Sequence, residues 1–157
     1  MPNPVVVSSR AQVLAHLERS SVKIGDPLKF HFRLRNVSPQ VIGNLVLSDF
    51  NDDCWLIVTD ALGAELPHTE KGDRWRQRST SQTASVSYAL SPGEDDGDRV
   101  VNVADLYRLD RPGNYFVRIF KRMSVQPGVP WPKTAEEGRK APLEEAVSGL
   151  IPFTITP

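Results

Sequence analysis

From Leu28 to Arg35 the chain alternates apolar and polar side chains without interruption: Leu28, Lys29, Phe30, His31, Phe32, Arg33, Leu34, Arg35. A two-residue side-chain period belongs to a β-strand with one buried face, so Leu28, Phe30, Phe32 and Leu34 line a core and their polar neighbours meet water. The pattern recurs at Val13, Ala15 and Leu17, at Ala84, Val86, Tyr88 and Leu90, and at Tyr115, Val117 and Ile119. Further apolar runs at Val41 to Leu47, Trp55 to Thr59, Arg99 to Ala104 and Leu150 to Thr156 complete seven or eight short strands. Turn formers separate them: Val22 to Pro27, Asn36 to Pro39, Asp60 to Gly63, Ser91-Pro92-Gly93 and Arg111-Pro112-Gly113. Glu65 and Leu66 return beside Trp55 to Thr59 as a hairpin.

Two stretches break the rhythm. Pro67 to Gln82 is polar and charged with Trp75 as its apolar anchor, and reads as a long loop. Met123 to Ser148 reads as an insertion before the last strand, with single helical turns at Thr134 to Lys140 and Pro142 to Ala146. With 157 residues there is room for one well-buried domain, its core about 11–122 and 149–156 and its insertion loop 123–148. Short strands and no helix long enough for a parallel crossover predict an all-β, antiparallel β-sandwich, with a closed barrel as the structural alternative.

Composition narrows the partners. Lys plus Arg and Asp plus Glu each number 19, so no overall field draws the chain to nucleic acid or to an anionic membrane. No window reaches the length of apolar sequence that a membrane helix requires. Cys54 is the single cysteine, so an intrachain disulfide is impossible. Met1-Pro2-Asn3-Pro4 lacks the basic start and apolar stretch of an export signal, which points to the cytoplasm unless a signal segment has been removed.

Chemistry-bearing residues are sparse. His16 and His31 fall at outward strand positions, and neither they nor His68 has a partner at a metal-ligand spacing. Cys54 precedes Trp55 with no histidine near it in sequence, and no nucleophile elbow, phosphate loop or dinucleotide fingerprint occurs. A non-catalytic protein without cofactor is expected. An enzyme would need a polar pocket bringing His68 or His16 within hydrogen-bonding reach of a serine, cysteine or carboxylate. The acidic run Glu94-Asp95-Asp96-Gly97-Asp98 offers Asp95, Asp96 and Asp98 as calcium ligands by oxygen density, although the order of an EF-hand loop is absent. Lys71, Arg74, Trp75, Arg76 and Arg78 interleave a ring with basic groups, but acidic Glu70 and Asp73 break the stripe that single-strand nucleic-acid binders use. Pro130-Trp131-Pro132 sets a large aromatic between stiff neighbours, which suits a binding anchor. Trp131, Pro130 and Pro132, together with Trp75, Arg74 and Arg76, are therefore the candidate contacts to a protein or glycan partner. The alternative is that Trp131 folds back over the sheet and that Trp75 caps an open end of the sandwich while the neighbouring charges stay solvated.

The corner Leu109-Asp110-Arg111-Pro112-Gly113-Asn114-Tyr115, the Gly25-Asp26-Pro27-Leu28 and Asn36-Val37-Ser38 turns, Ser91-Pro92-Gly93-Glu94 and the final Phe153-Thr154-Ile155 resemble bacterial immunoglobulin-like domains. Among named families, the hairpin Val58-Thr59-Asp60-Ala61-Leu62-Gly63 and the Pro-Gly-Asn-Tyr corner are similar to the BsuPI-like intracellular proteinase inhibitors. The resemblance implies that Tyr115 points inward and bonds back to the preceding corner, and that Val117 stands where antibody domains carry a cysteine. It also implies that Trp55 packs against that centre. Proteinase inhibition is the second activity it implies.

Overall fold

The computed structural model describes residues 6–7, 10–47, 54–80, 85–125 and 144–157. Eleven strands and two helices occur among them, so the chain is all-β with two helical additions. Three strands form one sheet: β2 (Ala11–Leu17), β4 (Lys29–Asn36) and β8 (Arg99–Asn102), antiparallel in the order β2-β4-β8. The other eight form a mixed sheet around β9 (Gly113–Val125), a strand of 13 residues. One edge of β9 carries β11 (Ile151–Thr156) and then β10 (Glu144–Val147); the other carries β6 (Cys54–Asp60) and then β5 (Ile42–Leu47). β7 (Ser85–Leu90) pairs with β5, while β3 (Ser21–Lys23) and β1 (Val6–Val7) pair in parallel with β11 and β10.

The alternating pattern does what its period requires. Phe30, Phe32 and Leu34 of β4 are buried, and one continuous cluster joins them to Leu56 and Val58 of β6, Val117 and Ile119 of β9, and Phe153 and Ile155 of β11. Residues from both sheets thus share one core. Each of these large side chains removes enough apolar surface to contribute about 1.5–3 kcal/mol. Tyr115 stacks on Phe153 with ring centroids 5.7 Å apart, and its hydroxyl donates to the Arg111 carbonyl at 2.8 Å. Lys121 continues the inward stripe of β9 and is buried, and loss of solvation pushes its ammonium well below the usual lysine range.

Several expectations are corrected. The sheets are antiparallel and mixed rather than wholly antiparallel, because β1 and β3 run parallel to their partners. Val22 belongs to β3, so the first turn begins only at Ile24. Glu144–Val147 is a strand and not a helical turn, because its backbone completes the edge of β9 from Phe120 to Met123. The polar stretch after Pro67 holds a helix, α1 (Glu70–Thr80), in place of a loop. Thr69 caps it by accepting the Gly72 N–H at 3.1 Å, and Glu70 and Asp73 place negative charge at its N-terminal turn. A second, four-residue helix, α2 (Val103–Leu106), is capped by Asn102, whose side chain accepts from Ala104 N–H at 3.2 Å and Leu28 N–H at 3.0 Å.

Trp55 also departs from its expected place. Strand β6 buries Cys54, Leu56 and Val58, so its neighbour at the intervening position faces away from the core. Its indole lies edge-on to Phe120 at 6.2 Å and beneath the Arg76 guanidinium at 4.0 Å.

Candidate functional site

The β6 hairpin and the two helices bring together a polar cluster whose members are far apart in sequence. The turn that starts it is rigid: Asp60 accepts the backbone N–H groups of Leu62 and Ala64, each at 2.9 Å, and Gly63 takes a φ of +86° that side-chain-bearing residues avoid. The return strand delivers Glu65 opposite Thr59. Three donors converge on one Glu65 oxygen: the Tyr107 hydroxyl at 2.8 Å, His68 Nε2 at 2.8 Å and Arg76 Nη1 at 3.1 Å. Across the ring, His68 Nδ1 meets Asp73 at 2.9 Å, and the ring stands edge-on to Tyr107.

The electrostatics follow from these contacts. Burial works to raise the Glu65 carboxyl, but the hydrogen bonds from His68 and Tyr107 and the charge of Arg76 outweigh it and hold the group below its ordinary value. Burial, reinforced by the Glu65 carboxylate, drives the Tyr107 hydroxyl far above the usual phenol range. That hydroxyl is 2.8 Å from both the Leu56 carbonyl and Glu65, so the cluster ties α2 to β6. Each ring nitrogen of His68 faces a carboxylate oxygen, Nδ1 that of Asp73 and Nε2 that of Glu65. Neither ring nitrogen of His68 is left facing outward.

A parallel arrangement lies on the three-stranded sheet. His31 of β4 has Nδ1 at 2.9 Å from Asp98 and Nε2 at 2.7 Å from Glu18, and it stacks on His16 at 4.8 Å. The hydrogen bonds to Asp98 and then Glu18 raise its pKa above the ordinary 6.5, against a small desolvation effect. Glu18 is correspondingly lowered, first by its bond to His31. The sign of the stability effect follows by linkage. A raised histidine stabilises fully below about pH 6.5 and loses that contribution as pH rises through the folded-state value. We expect the melting temperature of the wild type to exceed that of His31→Gln clearly at pH 6 and by much less at pH 9. Equal differences at both pH values would show that the clamp carries no protonic stabilisation.

The residues singled out from sequence fall in different places. Trp131, Pro130 and Pro132 lie outside the described residues. Trp75, a candidate contact whose other reading was a cap on an open end of the sandwich, is 5% exposed and belongs to the core, because the capped helix α1 turns that position inward. Arg74 is exposed and 3.9 Å from Glu70 one turn earlier, a pair of little energetic weight. Arg76 belongs to the polar cluster and covers Trp55. The calcium candidates do not converge. Asp95 faces Arg33 and Arg35 at 3.8 and 3.6 Å, Asp98 faces His31, and Asp96 is buried against Arg99 at 3.0 Å while accepting the Leu34 N–H at 2.7 Å. Among the described residues no group of three or more histidine, cysteine or carboxylate side chains is placed to hold a metal ion.

Sequence reasoning passed over Glu65, Asp73 and Tyr107. The signal available was local: Thr69 followed by Glu70 and Asp73 is a helix start, and it would have put His68 and Asp73 on adjoining turns.

The fold defines a strand-rich protein with two sheets sharing one core. No family model and no curated protein matches the chain. Among solved structures, a β-glucosidase from Erythrobacter marinus aligns with TM-score 0.41 at 14% identity over 93% of this chain, and one from Listeria innocua with 0.42 at 10% over 96%. The chain spans 15% and 17% of the length of those two enzymes.

Proposed function

We propose that the chain is a non-catalytic, immunoglobulin-like β-sandwich module that binds a protein or glycan partner. The fold half of this reading draws support from β3 running parallel to β11, the order β11-β9-β6 around a central strand, and the separate β2-β4-β8 sheet. The Tyr115 hydroxyl reaching back to Arg111, with Val117 fully buried two residues on, supports it further. The observation that carries the functional half is the pairing of both His68 nitrogens with carboxylates at 2.8 and 2.9 Å. A general base needs a nitrogen within reach of a substrate proton, and here both are committed to the fold. The test is to present the immobilised protein with a displayed peptide library and a glycan array. Saturable micromolar retention of either class supports the module. Turnover of chromogenic ester or glycoside substrates, abolished by His68→Gln, would replace it with an enzyme.

One observation favours a second reading as a proteinase inhibitor: Leu62 is 94% exposed at the apex of the hydrogen-bonded Asp60 turn, a preorganised apolar anchor. Stoichiometric loss of serine or cysteine protease activity, relieved by Leu62→Asp, supports it. Full protease activity at micromolar protein removes it.

A further inference from the structure

The eight-stranded sheet has an outer face that the core leaves unused. Along β9 the buried Tyr115, Val117 and Ile119 alternate with half-buried Phe116, Arg118 and Phe120. Strand register places Thr59 and Pro152 beside Phe116, Ile57 beside Arg118, and Trp55 and Val147 beside Phe120. Two apolar rows therefore flank Arg118, each roughly 7 Å away along the strand. The Arg118 guanidinium lies 5.0 Å from the Phe120 ring centroid, and among the described residues it makes no hydrogen bond or ion pair. Other arginines differ: Arg76 meets Glu65, Arg99 meets Asp96, and Arg33 and Arg35 share Asp95. A half-buried guanidinium lying over a single ring is short of the planar anion that its donors fit.

Resting on the binding-module reading, the geometry points to this face as the docking surface and to an extended acidic peptide as its occupant. In an extended chain, residues two apart lie on one side at the same repeat as Phe116, Arg118 and Phe120. The matching pattern is apolar–x–Asp/Glu–x–apolar, with the carboxylate on Arg118 and the two apolar side chains on the rows at Phe116 and at Phe120 with Val147, Trp55 being covered by Arg76. Charge complementarity selects the acidic residue, and the aromatic rows select its neighbours.

The test is selection of random twelve-residue peptides on the immobilised full chain, with oligogalacturonate as an acidic sugar probe. Enriched peptides are expected to carry Asp or Glu flanked two residues away by Leu, Phe or Trp. Arg118→Glu is expected to weaken them at least tenfold and, in its own selection, to recover Lys or Arg at that place. Arg118→Gln, which keeps much of the bulk, gives the same loss where the charge reversal does not fold. Peptides that lack the acidic residue, or that bind the Arg118 variants unchanged, overturn this surface while leaving a binding module. Retention of the sugar through Arg118 without peptide enrichment overturns the peptide as occupant. Retention of neither probe, and of nothing on the glycan array, sinks the surface and the module together.

Discussion

Replacing Asp96 by alanine is expected to lower stability by about 3–5 kcal/mol, the usual result of removing one member of a buried ion pair. The side chains of Asp96 and Arg99 are only 2% and 7% exposed, and Arg99 also lies over the Phe32 ring at 4.7 Å. Removing the carboxylate takes from the guanidinium its buried ion-pair contact at 3.0 Å. It also strips the acceptor from the Leu34 N–H, which Asp96 holds at 2.7 Å. For a domain of this size the loss corresponds to a fall in Tm of roughly 6–20 °C. Asp96→Asn keeps an acceptor for Leu34 but not the charge, and is expected to fall between. A melting temperature for Asp96→Ala within a degree of the wild type would show that the pair contributes nothing.

Gly72→Ala is the second large effect, and here two influences oppose each other. Alanine gains about 1 kcal/mol over glycine inside a helix. A Cβ at this position, however, falls 2.0 Å from the Leu106 carbonyl oxygen and 2.9 Å from its carbon. These are backbone atoms of α2, and that carbonyl accepts the Thr69 N–H at 2.9 Å, so it cannot rotate aside as a flexible side chain does. The overlap wins: α1 must lift from α2, loosening Trp75, for a net loss of about 1–3 kcal/mol. Gly149 has nothing within 4 Å of its own added Cβ, so Gly149→Ala serves as the control and is expected to leave the denaturant midpoint in place. A stabilised Gly72→Ala protein would mean that the two helices do not need their close approach.

How much of this was legible beforehand depended on the range of the interaction responsible. Strand β4 could be read because its period is local and its buried set, Phe30, Phe32 and Leu34, needs no knowledge of neighbours. The inward set of β9 was legible for the same reason, while the bond from Tyr115 to Arg111 was implied only by the resemblance to immunoglobulin-like corners. Helix α1 was missed because, within the part whose side chains are described, it buries only Gly72 and Trp75, too few for a helical period to stand out. The acidic run looked like a solvated turn because the burial of Asp96 comes from Leu34, 62 residues earlier, and no local pattern announces it. The polar cluster shares that character, since Tyr107 reaches Glu65 across 42 residues and Leu56 across 51. Trp55 was placed in the core by the resemblance to immunoglobulin-like domains, whereas the parity of β6 turns it away from the core.

The position of β11 bears on how the chain is born. It lies between β9 and β3, and it fills the core with Phe153 and Ile155. While the ribosome is still extending the nascent chain, β3 and the lower half of β9 have no strand to join them, and Tyr115 lacks its stacking ring. Long-range pairing of this kind is slow and leaves apolar surface uncovered in the meantime. Closure of this side of the sheet therefore waits until Ile151–Thr156 has been synthesised and can dock between β9 and β3.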